Sequence, residues 1–542
     1  MSPRILYPLS AIMLVMVGML VGFNLKLETR EQRAIRKLEE VYYKVAANYF
    51  EEVNPEKMTE DAIKGMLEGL DPHTFYIPLK DMQSVNENMQ GAFEGVGIEF
   101  NIVEDTLYVV TAISGGPSEK VGIQAGDRII SVDGERIAGV GLTNDDVIRR
   151  LRGPKGTKVK VEIKRLGIKK PILFEIERDK IPLYAVDYSY MIDNENGYIK
   201  VNRFSETTYQ EFVEHLLKLK RQGLKNLILD LRNNPGGYLY QATQMTDFFL
   251  KQGQLIVYTE GRIPSSMSRH EASSRINDFE QGGLVVLINQ GSASASEIVS
   301  GAVQDHDRGL VVGRRSFGKG LVQQQYTLSD GSAIRVVVSR YFTPSGRCIQ
   351  KPYVPGHTEE YEQEAYDRYE TGEAFDESKI NLPDSLKYKT DAGRVVYGGG
   401  GILPDVFVPT DTSETSEYLT NLIKSRIFET FAYRYKDTHP GLATTYPTGR
   451  AYSTGFQVDK ALINDFTTFA VEHGVPYVQA GYVKSERFIR NNLKAQIGRA
   501  YYNDDGFWPV ILQADDVFQK GLALMPDAIQ LAKTGKFAKD KE

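Results

Sequence analysis

The sequence predicts an α/β core interrupted by a small, separate strand-rich domain and flanked by helical regions at both ends. Three observations predict it. Two apolar runs, 226–231 and 284–288, each lead into a turn of small or polar residues and then a helix-period segment, the repeated unit of an α/β sheet. Residues 95–178 contain short β-patterned segments divided by glycine turns. Residues 31–90 and 413–542 space their apolar positions by three and four, as amphipathic helices do.

Composition sets outer limits. A chain of 542 residues, 41% hydrophobic and 25% charged, is long enough for several domains with full cores. A net charge of −6 and a pI near 5.9 argue against a nucleic-acid partner, which needs a basic face. The single cysteine, Cys348, excludes an intramolecular disulfide, and no cysteine cluster suggests structural zinc. No metal or cofactor is expected.

Between Arg4 and Lys26 lie 21 uncharged residues, 5–25. As a helix they would extend about 31 Å, enough to cross a bilayer core. No Ala-x-Ala cleavage site follows, so an uncleaved anchor is favoured over a signal segment, and Arg4 places the body outside the cytoplasm. The body is expected outside the cytoplasm, held at the membrane by 5–25 or exported after cleavage of that segment.

Next comes a helical lead-in, 26–92, in which Ala34, Leu38, Val41, Tyr42 and Val45 follow helical spacing. AspProHisThrPheTyrIlePro, 71–78, breaks it with two prolines. The strand-rich region, 93–179, has expected strands at 97–102, 107–112, 128–132 and 158–164, with short helices near 118–121 and 143–151. Its GlyValGlyIle loop at 95–98, the run ProSerGluLysValGlyIleGlnAlaGlyAspArgIleIleSerValAspGly at 117–134, and AspAspValIleArgArgLeuArgGly at 145–153 resemble a PDZ domain. That resemblance implies that the backbone of Gly95, Val96, Gly97 and Ile98 receives the terminal carboxylate of a peptide, which adds as a strand to the sheet edge.

The core, 180–412, holds the two strand–turn–helix units. In the second, Leu284 to Ile288 is the strand and GlySerAlaSerAla the turn. Ala295, Ile298, Val299, Ala302 and Val303 then mark the buried face of a helix. Small residues at such a turn let the backbone approach a ligand and leave N–H groups free. Ser292, Ser294 and Ser296 could each be a nucleophile or a helix cap, with Glu297 completing a capping box from Ser294. A nucleophile needs a base. None of the seven histidines, His73, His215, His270, His306, His357, His439 and His473, stands in a triad context. Lys319, between two glycines, could serve if burial lowers its pKa, and Gln323 four residues on could orient its amine.

The ordered set of motifs, AspLeuArgAsnAsnProGlyGly at 230–237, GlySerAlaSerAlaSerGluIle at 291–298, SerPheGlyLysGlyLeuValGln at 316–323 and TyrGlyGlyGlyGlyIleLeuProAspVal at 397–406, together with the PDZ-like region, resembles the tail-specific proteases, or C-terminal processing peptidases. The resemblance covers roughly 35–410. It implies a crotonase- and Clp-protease-like core, a serine endopeptidase activity, and a Ser–Lys dyad assisted by glutamine: Ser294 the nucleophile, Lys319 the base, Gln323 its orienter. The oxyanion hole is expected from backbone N–H groups of Gly236, Gly237 and Ala295, and the substrates are proteins with accessible, apolar C-termini. Two other readings are a non-catalytic envelope scaffold that binds tails and a crotonase-like acyl-CoA enzyme.

An acidic, tyrosine-rich insertion, 351–389, departs from the simplest family pattern and reads as a solvated helix or loop, with a substrate or partner surface as the alternative. Residues 413–542, with Trp508, read as an added helical domain for dimerisation or adaptor docking.

Overall fold

The computed structural model describes Met13, residues 29–103, 105–113, 115–165, 167–273 and 279–537. The expected anchor at 5–25 therefore lies, but for Met13, outside the described residues. Among those described, no helix is long and apolar enough to cross a membrane. Residues 1–69 and 70–542 form separate units.

The first unit contains α1 (Arg30–Asn48) and α2 (Pro55–Glu68). Thr29 caps α1 in a reciprocal box with Gln32, and Asn54 caps α2 by accepting from Lys57 N–H.

In the second unit, the proline-bounded segment at 71–78 becomes β1 (Phe75–Ile77), followed by α3 (Leu79–Gln90). A two-stranded neck, β2 (Ala92–Gly95) with a later strand, then opens into the strand-rich region. This region contains β3 (Ile98–Val103), β4 (Thr106–Ala112), α4 (Pro117–Val121), β5 (Arg128–Val132), β6 (Glu135–Arg136), α5 (Asn144–Leu151), β7 (Lys158–Lys164) and β8 (Ile172–Glu177), and the chain returns through the neck as β9 (Asp179–Pro182). Its strand order is β3-β4-β5-β7-β8, with β6 on β5, so β3 is an edge strand. Val96, Ile98, Leu107, Ile129, Val147 and Ile163 share its own hydrophobic core.

The central sheet is built from β10 (Tyr188–Met191), β11 (Asn196–Lys200), then α6 (Thr208–Arg221), β12 (Asn226–Asp230), α7 (Leu239–Asp247), β13 (Leu255–Gly261), β14 (Ser268–Glu271), β15 (Leu284–Ile288), α8 (Ala295–Asp305) and β16 (Leu310–Gly313). Strands β13 and β14 leave it to join a second sheet with β17 (Leu321–Thr327), β18 (Ala333–Phe342) and β1, in the order β1-β18-β13-β14, with β17 on β18. After α9 (Thr358–Glu370), β19 (Lys387–Lys389) and β20 (Val395–Tyr397), the short β21 (Val406–Phe407) completes the central order β10-β11-β12-β15-β16-β21. From β11 onward that sheet is parallel, and a parallel sheet must be covered on both faces. Leu227, Leu229, Leu284, Val286 and Ile288 point to the side covered by α6, α7 and α8, whereas Ile228, Val285 and Leu287 point to the other.

That second face decides the fate of the helical tail. Helices α10 (Glu417–Lys424), α11 (Ile427–Thr438), α12 (Lys460–Glu472) and α13 (Gln479–Tyr502) gather a core of their own around Phe428, Phe431, Phe466 and Ile489. By contrast, α14 (Asp516–Ala523) and α15 (Met525–Thr534) lay Val517, Phe518, Met525 and Leu531 on the central sheet. The region read as one added helical domain thus divides between two cores, because its last helices are the missing cover of the sheet.

Candidate active site

The turn after β15 is held by its serines in different ways. Ser292 Oγ donates to Leu231 O at 2.8 Å, and Ser296 Oγ donates to Asn234 O at 2.9 Å. Both side chains are fully buried, so they fasten this turn to the 230–237 loop. Ser294, half-buried between them, is the N-cap of α8 with φ 54° and ψ −111°. A side chain rarely adopts that backbone without compensation. The compensation is local: Ser294 N–H donates to Glu297 Oε2 at 2.7 Å, and Tyr341 donates its hydroxyl to Ser294 O at 3.1 Å.

Glu297 does more than cap. Its fully buried carboxylate also accepts from Ser316 Oγ, from Gly318 N–H at 2.7 Å and from Lys319 N–H at 2.9 Å. One oxygen, Oε2, therefore takes the amide protons of both Ser294 and Lys319, bringing the two loops together. Burial raises the pKa of this carboxyl, opposed by the hydrogen bonds it accepts. The capping-box reading of the sequence found this residue but not its reach to the second loop.

Lys319 donates from Nζ to Gln323 Oε1 at 2.8 Å. Four residues return to one face here because the chain enters β17, across a register shift between Val322 and Gln323. The lysine's pKa is pushed down to about 8, first by burial and then by the positive charge of Arg335, while Glu297 and Asp71 pull it upward. Near neutrality the neutral amine becomes accessible as a proton acceptor.

The glycines at 236 and 237 stand against the serine turn. A Cβ on Gly236 would lie 2.8 Å from Ser294 Cβ and 2.7 Å from Ala293 O; on Gly237 it would lie 2.1 Å from Phe204 O. Neither position has room for a side chain. Gly236 N–H is already given to Asn234 Oδ1 at 2.9 Å. Among the described residues, Gly237 N–H and Ala295 N–H have no acceptor, which leaves these two as the donors able to meet a developing oxyanion.

The GlyValGlyIle loop lies elsewhere, between the neck and the edge strand β3. Gly97 has φ 73°, and a Cβ there would be 2.9 Å from Ile181 Cδ1. Val96 O is occupied by Ser118 N–H and Oγ, which fixes the loop from beneath.

Sequence reasoning set aside His73 and the insertion, yet both reach the site. Gln323 Nε2 donates to His73 O, and the His73 ring stands 2.9 Å from the Tyr361 hydroxyl on α9. The solvated-helix expectation for the insertion holds for one face only: Glu359, Glu360 and Glu362 are exposed, whereas Tyr361, Ala365 and Arg368 are buried. Arg368 donates to Arg315 O, Ser316 O and Phe317 O, gripping the loop that carries Lys319. A sequence pattern cannot mark such a contact, because the partners are distant in the chain.

The model of peptidase family S41 matches residues 195–359, and that of the PDZ domain matches 108–165. A carboxy-terminal-processing protease of Bartonella bacilliformis is 37% identical over 347 residues, spanning 63% of this chain and 78% of the relative. The chain belongs to peptidase family S41. As an S41 peptidase it is a serine-type protease, and its strand-rich insert is a PDZ domain. Other parts of the S41 chain match the activating protease CtpB N-terminal domain, at 23–80, and a family of unknown function, at 418–503. The carboxy-terminal processing protease CtpA of Bacillus subtilis is 33% identical to it over 65% of this chain and 77% of the relative. A solved photosystem II D1 C-terminal processing protease shares 27% identity over 69% of this chain and 86% of its own, with a TM-score of 0.36.

Proposed function

We propose that the chain cleaves proteins near their C-termini with Ser294 as nucleophile and Lys319 as general base. The observation that carries this reading is the Lys319–Gln323 hydrogen bond on a buried lysine whose loop is pinned, through Glu297, to the strained turn of Ser294. Neutral Lys319 takes the Ser294 Oγ proton as the oxygen attacks the scissile carbonyl, forming the C–O bond. The carbonyl oxygen gathers negative charge and is met by Gly237 and Ala295 N–H, with Gly236 giving close approach. The protonated amine then passes its proton to the leaving amine as the C–N bond breaks. Water then gives a proton to Lys319 and bonds to the acyl carbon; the ester C–O bond to Ser294 breaks, and Lys319 returns the proton to Ser294 Oγ.

Substrate selection belongs to the PDZ domain. The loop of Gly95, Val96, Gly97 and Ile98 opens onto the edge strand β3, where an extended tail can add as a further strand and bring its carboxylate to the loop amides. We read the segment 5–25 as the membrane anchor that holds this domain arrangement on the outer side of the bacterial inner membrane.

The test is digestion of an unfolded reporter carrying either an apolar or a charged C-terminal tail by the full chain and by Ser294→Ala and Lys319→Ala. Cleavage that favours the apolar tail and is lost in both variants is the expected result. Survival of cleavage in Ser294→Ala would remove the nucleophile assignment, and tail binding without cleavage by the unaltered chain would favour a scaffold.

A further inference from the structure

Lys319 is oriented by an amide, and an amide side chain can be turned end for end. Only its surroundings decide whether oxygen or nitrogen faces the lysine. In this chain the Gln323 NH2 group is claimed by the carbonyl of His73, which leaves Oε1 for Lys319 Nζ. The position of that carbonyl is itself fixed twice. His73 N–H donates to Asp71 Oδ1 at 2.8 Å, and the His73 ring meets the Tyr361 hydroxyl edge-on.

Tyr361 has little freedom. It is 4% exposed, its hydroxyl accepts from Gln350 Nε2 at 3.0 Å, and its backbone oxygen accepts from Lys351 Nζ at 2.6 Å. That ammonium also lies over the rings of Phe317 and Tyr361, at 4.1 and 4.2 Å. With Gln350 donating to it, the Tyr361 hydroxyl keeps its own proton for His73 Nε2. Burial, Lys319 and Lys351 hold His73 neutral, with its pKa near 3, so the ring keeps one acceptor nitrogen, which is Nε2 in the tautomer that carries its proton on Nδ1.

We propose that His73 and Tyr361 are positioning residues of the peptidase reaction: through the His73 carbonyl they orient the Gln323 amide and with it the Lys319 amine. The insertion at 351–389 is then a brace of the base, held in register by the grip of Arg368 on residues 315–317. This rests on the assignment of Lys319 as base. The charges facing that amine are Arg335 on β18, Glu297 on α8 and Asp71 beside His73.

The experiment compares the full chain with Tyr361→Phe, His73→Phe and the double variant, on the apolar-tailed reporter across pH 6 to 10, with Ser294→Ala in parallel. Both substitutions keep a ring and remove one hydrogen-bonding group. The expected result is a fall in kcat of about tenfold or more in each single variant, with KM unchanged, since a small misplacement of a reacting group has effects of this order. The double variant should lose no more than either single one, because both act through the same carbonyl. The acid limb of kcat/KM should move to higher pH as the loosened amine meets water. Unchanged kcat and acid limb in both single variants, or losses that multiply in the double variant, would overturn the proposal. If instead Ser294→Ala cleaves like the unaltered chain, the dyad assignment itself has failed. Tyr366→Phe, on the exposed face of α9, should behave as the unaltered chain.

Discussion

At the scale of single residues, the site depends on two unfavourable placements that the fold sustains. Ser294 occupies a backbone region suited to glycine, at a cost of about 1–3 kcal/mol. Ser294→Gly should therefore melt at a higher temperature than Ser294→Ala, while neither cleaves; equal melting would mean that the turn stores no strain. Lys319 is buried where its cation is penalised, and Arg335 adds to that penalty. Because the base must be neutral, kcat/KM should climb with pH and level off above about 8. Removing the positive charge in Arg335→Gln makes the lysine cation less costly, raises its pKa and shifts the acid limb to higher pH. A pH–rate profile moving the other way would show that Arg335 does not act on the amine. The Lys319–Gln323 hydrogen bond was legible in the sequence because the two residues lie four positions apart, and Ser294 was put forward with them on a recognisable motif. The link to His73 was not, since that segment carries only a proline-bounded turn as its local signal.

At the scale of elements, α8 and β17 are separate pieces that must present Ser294 and Lys319 together, and Glu297 is their joint. Glu297→Gln places an NH2 group where four donors converge. Losing even one buried hydrogen bond to a charged group costs about 1.5–3 kcal/mol. The expected outcome is a lower melting temperature and a loss of activity of about 100-fold or more, larger than Gln323→Ala produces. Melting and turnover unchanged from the starting chain would mean that the loops are held by other contacts. Within the insertion, α9 illustrates the limit of composition: its acidic residues read as solvent-facing, and four of the six are. The buried face is set by Tyr361 and Arg368, whose partners are a loop and a turn that sequence spacing does not bring near.

At the scale of the whole second unit, the PDZ domain meets the helical region through ion-pair, hydrogen-bond and aromatic contacts. Arg499 Nη2 lies 3.1 Å from Glu99 Oε1, Arg426 donates to Asn101, and the Tyr108 and Tyr433 rings stack at 6.4 Å. Exposed ion pairs of this kind contribute about 0–1 kcal/mol each, so this attachment should be reversible. Glu99→Arg should increase hydrogen exchange in β3, α11 and α13, and adding Arg499→Glu should restore protection. If the single reversal leaves exchange unchanged, the Arg426–Asn101 and aromatic contacts hold the domain without this ion pair. The side chains that dock, Glu99 and Asn101, alternate along β3 with Ile98, Phe100 and Ile102, which pack into the PDZ core. The helical region therefore touches the outer face of the sheet.

The sequence by itself determined the α/β class and the strand-rich insert and put forward the serine–lysine–glutamine set, because strand and helix periodicity, glycine turns and short motifs are local properties of a chain. Tertiary structure alone decided that α14 and α15 close the central sheet, that Glu297 joins the two reactive loops, and that His73 and Tyr361 stand behind Gln323. Those outcomes depend on which surfaces must be covered and which buried polar groups must find partners across hundreds of residues, and neither demand leaves a periodic trace in the chain.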